Sequence, residues 1–310
     1  MGKATREAYG NALARIGKEN TNIIVLDADL SKSTKTDTFK AVCPERFFNV
    51  GIAEQNLISV GAGLAAAGKI PFVSSFSMFA TGRAFEQIRN AVCYPKLNVK
   101  VCATHAGITV GEDGATHQSL EDISCMRTLP NMTVVVPADE RETEAVIEWA
   151  ASYNGPVYVR LGRAGVDDVT TEGYSFVPGK STILVDGSDV TIIACGALGG
   201  PAVDASKTLS ESNISARVIN MASIKPIDAE AIIKAAAETG AIVTAEEHNI
   251  IGGLGSAVSE VVVSNKPVPM EFVGVQDTFG ESGTPKELMA KYGLTANDIV
   301  EAVKRVIARK

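Results

Sequence analysis

The 310-residue sequence has no apolar run long enough to cross a bilayer. Its opening, MGKATREAYG, carries charge but lacks the apolar stretch of a secretory signal. Cysteine is scarce and unpatterned. Cys43, Cys93, Cys102, Cys125 and Cys195 are odd in number and form no C-x-x-C spacing. That argues against a zinc site or a disulfide framework and leads us to expect free thiols in a reducing cytoplasm. No basic stripe is present, and a net charge of −7 argues against a nucleic-acid partner. Aromatic residues number only 17 and histidines only 3, so any clustering of either invites an explanation.

What remains is a globular composition, 45% hydrophobic and 21% charged. Short β-branched runs such as Asn22 to Leu26 (NIIVL), Phe72 to Ser75, Val99 to Ala103, Met132 to Val136 and Val157 to Leu161 read as buried strands. Helical patterns lie between them: Gln55 to Ala67, Ala80 to Ala91, Leu120 to Arg127, and Glu140 to Tyr153 behind a candidate N-cap, Asp139. After the polar, turn-rich stretch Gly165 to Lys180 the alternation restarts and runs to a closing amphipathic helix, Ala296 to Arg309. The expected fold is α/β, with two domains, each a mostly parallel sheet flanked by helices. The boundaries expected are 1–170, a linker at 171–185, and 186–310.

Three features of the first half stand out. Glu54 follows a β-like run and Gly51 and opens a helix of small residues. An acid in a first helical turn complements the helix dipole, so by itself it signifies little. Phe76 and Phe79, in SSFSMF, stand just past a strand in a polar setting, where a flat face can stack on a heterocycle or simply pack in the core. His105, Asp113 and His117 fall within thirteen residues, on loops expected at strand C-termini, where parallel sheets bind ligands. Imidazole moves protons near neutral pH. GEDG lacks the further carboxylates of a calcium loop, so no metal ligands are expected in this chain.

GIAEQN, SSFSMF, GEDGATHQ and VRLGR, in this order, resemble the pyrimidine-binding domain of transketolases, which are thiamine-diphosphate enzymes. AEEHNIIGGLGSAVSE and TFGESGTPKELMAKYGLT resemble their C-terminal domain, so the resemblance spans nearly the whole chain. It implies that Glu54 hydrogen-bonds N1′ of the cofactor's aminopyrimidine and thereby activates the cofactor, while Phe76 and Phe79 pack on that ring. A third family aromatic is replaced by Gly82, so a more open pocket is expected on that side. The resemblance places His105, Asp113 and His117 near the donor sugar, without dividing the catalytic work between the two histidines. Asp29 also matches a substrate-side position. Arg6, Ser33, Arg163 and His105 match positions that grip the sugar phosphate, a task suited to the planar guanidinium fork.

Full-length transketolases also carry a domain that holds the diphosphate and its Mg2+ or Ca2+ through a G-D-G motif, and this sequence has no such motif. The expectation is therefore a split enzyme, active only with a separate N-terminal subunit in a 2+2 heterotetramer. It would transfer a two-carbon ketol unit from a ketose phosphate to an aldose phosphate, as in the pentose phosphate pathway. Three alternatives were weighed: a deoxyxylulose-phosphate synthase-like enzyme, a 2-oxo-acid dehydrogenase β-subunit, and a non-catalytic transketolase-like binding protein. Arg6, Ser33 and Arg163 together speak against a 2-oxo-acid substrate, which carries no sugar phosphate. No role follows for His248 beyond a hydrogen-bonded histidine at the domain interface.

Overall fold

Buried β-branched runs form the strands, and a computed structural model describes residues 2–310. The strands are β1 (Ile23–Asp27), β2 (Phe47–Asn49), β3 (Ile70–Ser74), β4 (Lys100–Ala103), β5 (Thr133–Val135) and β6 (Val157–Arg160). There follow β7 (Thr182–Val185), β8 (Val190–Ala194), β9 (Ala216–Asn220), β10 (Ser223–Lys225), β11 (Ile242–Asn249) and β12 (Met270–Val275). The first sheet has the order β10-β5-β6-β4-β3-β1-β2 and the second β12-β11-β8-β9-β7. Pairing is parallel throughout the first six strands, and only β10 joins that sheet antiparallel. In the second sheet, β7 alone runs antiparallel. Every residue of β1, β4 and β6 is buried, as expected of strands covered on both faces.

The topology fixes where a ligand belongs. From β1 the chain crosses to β2 on one side, then returns over the helix Glu54–Ala66 to β3 on the other. The strand order thus reverses at the β1/β3 junction, and the crevice at the C-terminal ends of those strands is the switch point. Helix Glu54–Ala66 fits tightly there because Gly61 faces Val73 of β3, where an added Cβ would come within 2.7 Å of a Val73 methyl.

The halves are tied together at several levels. Leu26, Val73 and Val101 of the first sheet share one hydrophobic cluster with Ile193, Ile219 and Ile242 of the second. Strand β10 comes from the second half yet completes the first sheet, and Lys225 caps the carbonyls of Arg127 (2.8 Å) and Leu129 (2.6 Å). Between the sheets Arg160 pairs with Asp122 at 2.7 Å and also donates to the carbonyl of Glu247 at 2.9 Å. Burial pushes the Asp122 carboxyl up, but the Arg160 charge and its hydrogen bonds prevail and hold it below the ordinary carboxylate range.

Asp139 caps helix Glu140–Ser152 by accepting from the Glu142 amide. Two readings need correction. The stretch 80–91 is not a regular helix: π-turns at Met78–Arg83 and Ile88–Cys93 flank a short α-helical piece, Phe85–Gln87. The stretch expected as a linker contains strand β7, whose Thr182 and Ile183 pair with Asn220 and Ile219. All five cysteines are free, and burial pushes the Cys102 thiol up to about 12. Among the described residues no helix is long and apolar enough to cross a membrane.

Candidate functional site

Four segments at the C-terminal edge of the first sheet build the crevice. The first follows β1. Buried Asp27 accepts from the Leu30 amide (2.6 Å) and from the hydroxyls of Thr34 (2.6 Å) and Thr36 (2.9 Å), which orders the loop over 28–36. Asp29 (φ 66°) lies exposed on this loop and accepts from the Asn49 amide at 2.7 Å. Ser33 contributes its carbonyl, which receives Arg6 Nη1 at 2.9 Å.

The second segment leaves β2 through Gly51, whose φ of 77° suits glycine and turns the chain into the helix that begins with Glu54. Glu54 is 1% exposed although it sits in a first helical turn. Its carboxylate receives Arg83 Nη1 at 2.7 Å and has the Ser75 hydroxyl at 3.4 Å.

The third segment follows β3 and carries the rings. Phe76 stacks on His105 with centroids 3.8 Å apart, and Phe79 lies 6.0 Å from Phe76. The Arg83 guanidinium covers Phe79 with Cζ 4.7 Å from the ring centroid. Gly82 adds no side chain to this side, but the residue after it does. The π-turn brings the next residue, Arg83, over the aromatic face, while Gly82 itself is exposed.

The fourth segment follows β4. His105 adopts φ 57°, which turns its ring back onto Phe76. Arg6 Nη1 lies 3.4 Å from Nε2, and Thr104 Oγ1 lies 2.9 Å from Nδ1. A guanidinium only donates, so Nε2 accepts and the proton sits on Nδ1. Burial, then the charges of Arg6, Arg163 and His117, push the His105 imidazole down to about 3, so this ring is neutral at physiological pH. His117 is half-buried, 5.3 Å from Phe79 edge-on.

Arg163 donates from Nη1 to the Val110 carbonyl and to Glu112 at 2.7 Å. Burial lowers Arg6 from its ordinary value; Glu7 opposes this and the Arg163 charge adds to it. Arg6 Nε is buried without a partner. The crevice thus gathers Glu54, Phe76, Phe79, His105 and His117, with Arg6 at its rim and Arg163 close enough for its charge to bear on both Arg6 and His105. Asp113 is exposed at the end of the 3₁₀ turn Ile108–Asp113, the turn whose Val110 carbonyl and Glu112 hold Arg163. Among the described residues no group of three or more His, Cys, Asp or Glu side chains is arranged to hold a metal ion.

Three contacts escaped the sequence: Ser75, Thr104 and Arg83. Ser75 lies within SSFSMF but nothing there marked it as a partner of Glu54, and nothing in TGRAF signals a π-turn. His248, next to the end of β11, is fully buried, with Nδ1 2.6 Å from the Asn249 carbonyl and Nε2 receiving the Ser124 amide at 3.4 Å. It bridges the two halves and lies outside the crevice.

Comparison with known proteins gives the same picture from a different direction. The family model described as "Transketolase, pyrimidine binding domain" matches residues 1–167, and "Transketolase, C-terminal domain" matches residues 179–299. A "Putative transketolase C-terminal section" of Methanocaldococcus jannaschii is 52% identical over 97% of this chain and 95% of its own. A 6-deoxy-6-sulfo-D-fructose transketolase subunit of Clostridium sp. (strain MSTE9) is 43% identical over 98% of this chain and 95% of its own. A solved structure described as "Split gene transketolase, inactive beta4 tetramer" superposes with a TM-score of 0.92 at 56% identity, covering 99% of each chain. With both family models matched in order and 43–56% of residues identical to such relatives over nearly the whole chain, this chain belongs to the transketolase family.

Proposed function

We propose that this chain is the C-terminal subunit of a split transketolase, transferring a two-carbon ketol unit from a ketose phosphate to an aldose phosphate. The observation that carries the reading is one aromatic ring, Phe76, set between two kinds of site. On the side of Phe79 lies a buried carboxylate, Glu54; on the side of His105 lie Arg6 and Arg163. The first suits a flat, nitrogen-bearing heterocycle and the second an anionic sugar.

The residues fit thiamine diphosphate. Glu54 is a buried carboxylate joined through Arg83 to the ring of Phe79, and Phe76 and Phe79 supply the stacking surface. When bound, the cofactor supplies the electron sink for carbon–carbon cleavage. Everything else falls to the protein. Glu54 holds the aminopyrimidine by its N1′ nitrogen. His105, neutral and with its proton on Nδ1, offers Nε2 as an acceptor to a sugar hydroxyl once Arg6 turns to the phosphate. The unpartnered Arg6 Nε is an unused donor for that phosphate, with Arg163 and the Ser33 loop beside it. His117, half-buried at the edge of Phe79, is the group free to exchange a proton with the donor. Asp29 and Asp113 sit at the exposed rim, suited to sugar hydroxyls.

The relatives described as a "C-terminal section" and a "subunit" support a separate partner chain; to that chain we assign the diphosphate and its Mg2+ or Ca2+, held through a G-D-G motif. The neighbour described as an inactive β4 tetramer supports inactivity of this chain alone and a 2+2 heterotetramer as the working enzyme. The test mixes this chain with a G-D-G subunit, thiamine diphosphate and magnesium, with xylulose 5-phosphate as donor and ribose 5-phosphate as acceptor. Turnover that requires both chains supports the proposal; stable assembly that turns over no ketose overturns it. A sulfonated ketose belongs in the same assay, since one relative is described by such a substrate.

A further inference from the structure

Arg83 occupies both surfaces that the proposed cofactor ring requires. Its Nη1 holds Glu54 Oε2 at 2.7 Å, and its guanidinium plane covers Phe79 at 4.7 Å from the centroid. Glu54 is almost wholly buried, whereas the Arg83 side chain is 49% exposed. The carboxylate is thus a fixed socket and the guanidinium a plug that reaches it from the solvent side. A π-turn puts the plug in place, since Met78–Arg83 is wound wider than an α-helix and brings residue 83 over the ring of residue 79.

The plug also has somewhere to go. A cavity of about 670 Å³ opens beside it, lined by Phe79, Arg83, Thr116, Glu121 and Asp277. Glu121 accepts from the Leu120 amide at 2.7 Å, and Asp277 has the Asn249 amide at 3.4 Å. Neither carboxylate is paired with a cation among the described residues. The first half thus supplies one acidic group to this cavity and the second half the other.

We propose that Arg83 is a placeholder for the aminopyrimidine: it neutralises buried Glu54 and covers Phe79 in the cofactor-free chain, and swings into the acidic cavity when the cofactor ring takes its place. The inference rests on the thiamine-diphosphate reading above. A buried carboxylate left without any partner is costly, and a stacking face left bare is wetted. A single mobile cation avoids both. Because cofactor and guanidinium compete for the same atoms, removing the guanidinium strengthens cofactor binding. An ion pair open on one side together with a cation–π contact corresponds to about a tenfold change in Kd.

The test measures thiamine diphosphate binding to the assembled two-subunit complex with magnesium present, by calorimetry and by stopped-flow fluorescence. Wild type is compared with Arg83→Met, Arg83→Lys and Asp277→Asn, and circular dichroism verifies each fold. Arg83→Met is expected to bind about tenfold more tightly and associate faster, with Arg83→Lys in between. Asp277→Asn is expected to weaken binding when Arg83 is present and to leave it unchanged in the Arg83→Met background. Weaker or unchanged binding by Arg83→Met overturns the placeholder and makes Arg83 a fixed support of Glu54. Absence of binding by wild type and every variant overturns the cofactor reading, and this inference with it.

Discussion

Acid should unfold this protein partly through one imidazole. In the folded chain His105 is pushed down to about 3, first by burial and then by Arg6, Arg163 and His117. In the unfolded chain it titrates near about 6.5. Between these values the unfolded state binds a proton that the folded state refuses, so stability falls as pH is lowered from about 6.5 toward about 3. Above neutrality both states are neutral and the effect vanishes. At about pH 5 the loss attributable to this ring is about 2 kcal/mol relative to about pH 8. The perturbation is His105→Asn, because asparagine tolerates the left-handed backbone at φ 57° and cannot titrate. Urea unfolding of both proteins at the two pH values, at one chain concentration, gives the comparison. Wild type should lose about 2 kcal/mol more than the variant on going to the lower pH. Equal losses would refute the claim that His105 is held neutral by its surroundings.

Three further outcomes are expected. Glu54→Ala in the assembled complex should cut turnover by about 10²- to 10⁴-fold with the circular dichroism unchanged, and activity within a few-fold of wild type would sink the role given to this carboxylate. Arg6→Ala should raise KM for the phosphorylated donor by about ten- to a hundredfold, as loss of a charged hydrogen bond costs about 1.5–3 kcal/mol, and should spare KM for an unphosphorylated analogue. Asp122→Ala strands Arg160 in the interior, so denaturant titration should register a loss of about 3–5 kcal/mol, and a loss under about 1 kcal/mol would show that water reaches the pair.

How much of this was legible beforehand depended on the range of the interactions. Strands such as Ile23–Asp27 and Val190–Ala194 are local runs of β-branched residues, and the helix starting at Glu140 announces itself by its cap, so both were readable. The clustering of Glu54, Phe76, Phe79, His105 and His117 was readable for a topological reason: in a parallel sheet, loops following neighbouring strands meet at one edge. Arg83 was not readable. Its position depends on a π-turn, in which a single extra residue per turn rotates every later side chain, and no residue type in Met78–Arg83 marks it. Strand β10 was missed because three residues carry no periodicity, and its partner β5 lies some ninety positions earlier. The neutral state of His105 was equally hidden, being a product first of burial and then of Arg6 and Arg163, which come from opposite ends of the first half.

Strand β10 also limits how the chain can be taken apart. A fragment ending after the first half would leave the edge of β5 bare, with hydrogen-bonding groups that Ser223 and Lys225 now meet, and would uncover the apolar faces shared with Ile193 and Ile219. Such an edge is a template for pairing with another copy. The boundary visible in the sequence is therefore not a place to cut: the sheet that carries the crevice is completed by a border strand lent by the second half.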